Sequence, residues 1–201
     1  MKRENVMIRA DLHVHTTFSS DSSISPKTLV EQLRAHRSIK AVAITDHNTV
    51  KGYYSARELA RPYEDILVIP AMEISAVGGD LLIFGVAEIP PNPWTVESVI
   101  DFARKRGGVV AAAHPFRAYG LGESAKNYTF DAIEILNGAS APQVNKLAET
   151  LAKELNLPGV GGSDAHKLDE LWTAYTEAQA SLDVEEILKA IKKGLVRVGS
   201  K

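Results

Sequence analysis

Short runs of apolar, β-branched residues recur along the chain at 6–15, 41–45, 66–74, 80–86, 109–114, 132–136, 158–162 and 173–178. Runs of this length and composition read as strands. Between most of them the apolar positions fall at helical spacing. Residues 26–37 place Leu29, Val30 and Leu33 on one face, and 95–106 do the same with Val96, Val99, Ile100 and Ala103. Residues 50–61, 141–156 and 184–193 complete the helical set, with Val144, Leu147, Ala148, Leu151 and Leu155 as the stripe of the fourth. Ser25 before Pro26 is an N-cap with proline at the first helical position, and Gly107-Gly108 and Gly194 stand where helices stop.

Strand–helix–strand repetition predicts a parallel sheet with crossover helices. A barrel and an open doubly wound sheet both satisfy that pattern. One connection departs from it. Only 75–79 separates the third run from the fourth, too few residues for a helix, so an irregular or antiparallel pairing is expected there.

Length and composition narrow the picture. The 201 residues, 45% of them hydrophobic, suit a single domain over 1–201 with a real core. A net charge of −2 gives no general attraction to nucleic acid, so nucleic acid is not the expected partner. The chain has no cysteine, which excludes thiolate zinc sites, disulfides and cysteine nucleophiles and suits a cytoplasmic protein. No apolar run is long enough to span a bilayer, so no membrane association is expected. Residues 1–9 lack the apolar core of a signal peptide. Nothing in the sequence specifies an oligomeric state.

The chemistry clusters where the runs end. The first closes on Asp11-Leu12-His13-Val14-His15-Thr16, with Asp21 shortly after. Residues two apart on a strand share a face, so His13 and His15 project together, with Asp11 expected on the same side. The second closes on Thr45-Asp46-His47, the third on Glu73-Ile74, the fifth on His114-Pro115-Phe116-Arg117 and the seventh on Ser163-Asp164-Ala165-His166; the sixth carries Glu134 and Asn137. Of the 6 histidines only His36, among Arg34, Arg37 and Lys40, falls in a helical stretch, and it reads as solvated surface. In a parallel sheet these strand ends meet at one mouth. Imidazoles and carboxylates gathered there are costly to bury unless paired or metal-bound, and a shared centre of divalent ions satisfies them all.

Taken in order, Asp11-x-His13-x-His15-Thr16, Thr45-Asp46-His47, Glu73, Ala113-His114-Pro115 and Gly162-Ser163-Asp164-Ala165-His166 resemble the successive motifs of the PHP (polymerase and histidinol phosphatase) superfamily. The resemblance implies a distorted (β/α)7 TIM-like barrel with two or three divalent metal ions (Zn, Mn or Fe) at its mouth. It implies that His13, His15, Glu73 and Asp164 hold one ion, that Glu73 bridges to a second bound by His114, and that Asp21, His47 and His166 hold a third. The family's His-x-x-Gly on the fourth strand is missing: Asp80-Leu81-Leu82-Ile83-Phe84-Gly85 contains no histidine, leaving water, Asp80 or Glu134 to complete the second site.

Cations so held generate a hydroxide nucleophile at neutral pH, which predicts hydrolysis of phosphate monoesters of small molecules or nucleotides without a side-chain nucleophile. Arg117 is the expected phosphate clamp, since guanidinium grips two phosphate oxygens. Asp164, Asp21 and His166 are the candidates for the acid that protonates the leaving group. Asp11 and Asp46 are expected to orient the first-strand histidines and His47, or to serve as structural acceptors. Residues 120–127, polar and glycine-containing, are expected either to fold over the substrate or to be an ordinary exposed connection, and Trp172 and Tyr175 to belong to the core. The competing functions are a 3′–5′ nuclease acting on phosphodiesters and a metal-binding module without turnover.

Overall fold

The computed structural model describes residues 7–201. The signal-peptide reading of 1–9 and the start of the first run therefore lie largely outside the described residues. Nine strands run in chain order as β1 (Met7–Val14), β2 (Ile39–Ile44), β3 (Leu67–Ala76), β4 (Gly79–Phe84), β5 (Val109–Ala112), β6 (Ala132–Asn137), β7 (Gly159–Gly162), β8 (Ala174–Gln179) and β9 (Val196–Ser200). The helices are α1 (Pro26–Ala35), α2 (Lys51–Ala60), α3 (Val96–Lys105), α4 (Pro142–Glu154) and α5 (Val184–Lys192). The strands form one sheet in the order β7-β6-β5-β4-β3-β2-β1-β8-β9, curled into a nearly closed barrel.

The helix ends marked by Ser25-Pro26, Gly107 and Gly194 fall where anticipated. The Ser25 hydroxyl accepts from the Thr28 N–H ahead of Pro26, and Thr95 and Ser98 form a reciprocal capping pair at the head of α3. Gly107 and Gly194 end α3 and α5 at positive φ. The short third connection is the tip of a hairpin, with β3 and β4 antiparallel. β4 also pairs antiparallel with β5, so four parallel pairs, β1/β2, β2/β3, β5/β6 and β6/β7, flank an inverted strand.

Alternation along the strands builds the interior. Ala10, Leu12, Ala41, Ala43, Ile69, Ala71, Leu82, Phe84, Val109, Ala111, Ala132 and Val160 face inward, and Ile187, Leu188 and Ile191 of α5 pack against them. Small side chains at half of these positions let a narrow barrel fill without voids. The same inward parity, carried two residues further, puts Glu73 after Ile69 and Ala71, and Glu134 after Ala132, at the upper end of the barrel. Because β4 runs the other way, its first inward residue, Asp80, also arrives there.

Closure happens at that end. The first half of β1 pairs with β8, Met7 opposite Gln179 and Ala10 opposite Thr176. Beyond it, the chain leaving β7 takes over the edge: the Asp164 N–H donates to the His13 carbonyl at 2.6 Å and the His15 N–H to the Ala165 carbonyl at 3.0 Å. The Thr176 hydroxyl stands in for a ladder partner, accepting from the Gly161 N–H at 2.8 Å and donating to the Gly161 carbonyl at 2.9 Å. β7 is glycine-rich because nothing else fits: a Cβ on Gly162 would lie 2.3 Å from the His13 nitrogen.

Three sequence readings are corrected here. The ninth strand, β9, was not anticipated. It pairs antiparallel with β8 at the sheet edge, half exposed, so its side chains carry too weak an apolar signal to announce it. His36 is neither helical nor free surface: it caps the C-terminus of α1, and its Nδ1 accepts from the Ser38 and Ile39 N–H groups. Residues 120–127 are not a lid. A 3₁₀ turn at Gly122–Asn127 is anchored by buried Leu121 and Ala125. Trp172 is core, as expected, and Tyr175 is partly buried against the same cluster. Among the described residues, no helix is long and apolar enough to cross a membrane.

Candidate metal centre

The upper end of the barrel gathers every candidate ligand named from the sequence. Three groups have ligand atoms within 4.8 Å of one another: His13, His15 and Asp164; His13, Glu73 and His114; and His15, His47 and His166. Asp21 joins the last, its Oδ2 lying 3.3 Å from His47 Nε2 and 3.4 Å from His166 Nε2. Glu73 sits at the middle. One of its oxygens is 2.9 Å from His114 Nε2, and the other is 3.4, 3.3 and 3.1 Å from nitrogens of His13, His15 and His47.

The outer partners of these histidines decide which nitrogen faces inward. His13 Nδ1 lies 2.9 Å from Glu134 Oε1, a carboxylate that can only accept, so His13 carries its proton there and aims a lone pair from Nε2 at the cluster. His15 Nδ1 lies 3.1 Å from the Ser19 hydroxyl, whose own proton goes to Asp46 Oδ1 at 2.9 Å. The serine therefore accepts from His15, and again Nε2 is left bare. The two Nε2 atoms are 3.1 Å apart. Two lone pairs at that distance repel unless a proton or a cation lies between them. The Nδ1 atom of His114 is buried without a hydrogen-bond partner, and that of His47 has only Glu73 Oε2 near it, at 3.1 Å. A donor set of imidazole and carboxylate with inward lone pairs and an orphaned ring nitrogen fits divalent cations of the Zn²⁺, Mn²⁺ or Fe²⁺ kind.

Without a cation, protons do the same work. Burial opposes charge on His13, yet Asp164, Glu134 and Glu73 outweigh it and hold its pKa well above the ordinary value. The hydrogen bond to Glu73 is the main cause that pushes His47 up to about 9. Burial likewise opposes charge on Glu73 and Asp164, and His13, with the neighbouring imidazoles, nevertheless drives both well below the carboxylate range. Four ionisable groups are thus held charged by mutual attraction, three of them buried and His47 partly exposed, an arrangement that one divalent ion replaces by displacing protons.

Other candidates take different places from those expected. Asp11 does not face the cluster. β1 shifts register between Asp11 and Val14, and the Asp11 carboxylate turns to the N–H groups of His13, Ser163 and Trp172. Full burial pushes its pKa up to about 7. Asp46 does not touch the His47 ring; it accepts from the Thr16 N–H and hydroxyl and from Ser19, and so acts on His15 through the serine. Arg117 reaches across the mouth, its Nη1 2.5 Å from Asp164 Oδ2 and 3.2 Å from Asn137 Oδ1. Glu134 bonds the outer nitrogen of His13, the His114 N–H and Asn137, so its contacts orient ligands from behind. Ser19 was missed. It is one of several serines in the loop after His15, and no spacing rule separates it from the rest.

His114 and Asp164 have positive φ, 24° and 53°. Strain of this kind costs on the order of 1–3 kcal/mol and persists only where the surroundings enforce it. Here the bond from the Asp164 N–H to His13 and that from the His114 N–H to Glu134 enforce it. Above the cluster opens a cavity of about 670 Å³, lined by Asp21, His47, Asn48, Glu73, Ser75, Asp80, His114, Arg117, Asp164 and His166 together with Ala76, Gly78, Gly79, Ala118 and Tyr119.

Comparison with known proteins follows the same line. The PHP domain family matches residues 11–130, and a PHP-associated family matches 142–196. An uncharacterised protein of Methanocaldococcus jannaschii is 28% identical over 142 residues, 65% of this chain and 82% of the relative. A 5′-3′ exoribonuclease of Salmonella typhimurium, Rnm, is 40% identical over 74 residues, 36% of this chain but only 25% of the enzyme. A two-domain protein from Bacteroides vulgatus that contains a predicted PHP-like metal-dependent phosphoesterase superposes with a TM-score of 0.80 at 18% identity, over 98% of this chain and 66% of that one. At that identity the likeness speaks for the fold alone.

Proposed function

The chain belongs to the PHP domain family, a family of metal-dependent phosphoesterases, and on that premise we propose that it hydrolyses phosphate monoesters with divalent cations held in the histidine–carboxylate cluster. One observation carries this reading: three interlocked ligand groups, with inward nitrogens set by outer hydrogen bonds, line a single open cavity. His13, His15, Glu73 and Asp164 would hold one cation, and Asp21, His47 and His166 another at the rim. Glu73 and His114 offer a third position with only two ligands of its own, since His13 Nε2 serves the first. Zn²⁺, Mn²⁺ and Fe²⁺ all suit these ligands. Bound there, such cations stabilise charge on phosphoryl oxygens and acidify water.

The side chains do the rest. Arg117 uses only Nη1 for its bonds to Asp164 and Asn137, which leaves Nε and Nη2 as donors for a phosphate oxygen. On this reading the phosphorus would lie between Arg117 and the cluster. Asp164, held well below the usual carboxylate range, does not fit the role of proton donor to the leaving group. His166 and Asp21, at the outer rim, are the candidates for that proton when no cation occupies the rim position. Glu134, Ser19 and Asp46 keep imidazoles in one tautomer and orientation.

The similarity to the exoribonuclease supports a second reading, phosphodiester cleavage from an oligonucleotide end. The acidic balance of the chain, net charge −2, weighs toward the small substrate. Purified protein loaded with Mn²⁺ or Zn²⁺ should release phosphate from p-nitrophenyl phosphate or from a panel of sugar phosphates and nucleotides. Release of mononucleotides from short RNA, with no monoester hydrolysis, would replace the first reading by the second. Loss of both activities would mean a metal-binding module.

A further inference from the structure

The cavity has two unlike walls. One is the charged cluster. The other, built by the β3–β4 hairpin and the loop after β5, carries Ala76, Gly78, Gly79, Ala118 and Tyr119, with Ser75 and Asp80 of the hairpin and Arg117 of the loop beside them. Tyr119 is 83% exposed, the most exposed large hydrophobic residue among those described. Its backbone is nevertheless fixed. It sits at φ 66°, its carbonyl accepts from the Asp80 N–H at 2.8 Å, and the neighbouring Gly120 N–H donates to the Arg117 carbonyl at 3.0 Å. A Cβ on Gly120 would fall 2.4 Å from the Pro115 carbonyl oxygen, so the loop accepts no other residue there. Holding a tyrosine at positive φ costs free energy, and leaving its ring in water gains nothing for the fold.

Resting on the phosphomonoester reading above, we infer that Tyr119 is a specificity residue: its ring stacks on a flat, unsaturated ring in the alcohol portion of the substrate, a nucleobase being the simplest case. A cavity of about 670 Å³ is within the range that encloses a ligand of nucleotide size. The phosphate end is committed to the cluster and Arg117. The hairpin and the loop present glycine backbone and, in Tyr119, the one phenol ring of the lining, which suits a planar group. Anchoring the Tyr119 backbone removes part of the ordering cost that a mobile aromatic would incur on binding.

The test compares equilibrium binding of AMP, ribose 5-phosphate and inorganic phosphate to the Mn²⁺-loaded protein by calorimetry, which does not depend on turnover. Stacking of one base predicts that wild type binds AMP about tenfold more tightly than ribose 5-phosphate. Tyr119→Ala should remove that preference and leave ribose 5-phosphate and inorganic phosphate within twofold of wild type; Tyr119→Phe should keep it. Equal affinity of wild type for AMP and ribose 5-phosphate overturns the inference, as does an equal loss for all three probes in Tyr119→Ala or no change in that variant. Failure of all three to bind wild type would overturn the phosphomonoester reading and this inference together, whereas phosphate binding without a base preference overturns this inference alone.

Discussion

At the scale of single residues, the site holds two imidazoles, His13 and His15, whose outer nitrogen is already spoken for. Removing an outer partner should weaken metal binding without touching a ligand. Glu134→Gln and Ser19→Ala are each expected to lower metal affinity about 10- to 100-fold, measured by competition with a chromophoric chelator. Replacing proposed ligands should do more: Asp164→Asn or His114→Ala is expected to abolish turnover in the phosphatase assay while the circular dichroism spectrum stays that of wild type. Full activity in either would sink the assignment. His47 sets a pH dependence. Its pKa in the folded apoprotein, about 9, lies above the ordinary histidine value, so the stability it contributes is complete below about 6.5 and is lost as pH rises through 9. The metal-free protein should therefore lose melting temperature between pH 7 and 9. Metal uptake in that window should release protons, detectable with a pH indicator in weak buffer.

At the scale of elements, the seam between β7 and β1 governs everything above it. Asp164 and His166 reach the histidines only because the chain after β7 pairs with the end of β1. That approach tolerates no Cβ on Gly162. Gly162→Ala should cost roughly 1–3 kcal/mol, or more if the barrel cannot relax, as forced overpacking does. Thr176→Val, which keeps the shape and removes both bonds to Gly161, should cost about 1–3 kcal/mol by leaving a buried backbone pair unsatisfied. Thermal unfolding by calorimetry measures both. A Thr176→Val protein as stable as wild type would mean that the seam is held by packing alone.

For the whole molecule, the metal centre ties together β1, β2, β3, the loop after β5 and the chain after β7. A ligand that binds only the folded state stabilises it in proportion to the logarithm of its concentration. Excess Mn²⁺ or Zn²⁺ should raise the melting temperature, by about 2.7 kcal/mol of added stability at a free concentration one hundred times Kd. Chelation should reverse the gain. An unchanged melting curve would show that the cluster holds no divalent ion.

Much of this was legible along the chain because it rests on local chemistry. Apolar period 2 and period 3.6 marked eight strands and five helices. Ser25-Pro26, Gly107 and Gly194 marked helix ends, and His13-x-His15 with Asp164-x-His166 marked strand ends that bear ligands. Alternation even carries Glu73 and Glu134 inward, since two more residues on a strand restore the same face. The tertiary structure alone decided which way each polar group turns. Asp11 follows the histidine spacing yet faces away, because β1 changes register beside it. Asp80 opens its strand yet reaches the mouth, because β4 runs antiparallel. Ser19 was one serine among several until folding laid it between His15 and Asp46. Such choices depend on backbone groups from remote segments competing for the same carboxylate or hydroxyl, and that competition has no imprint on local spacing.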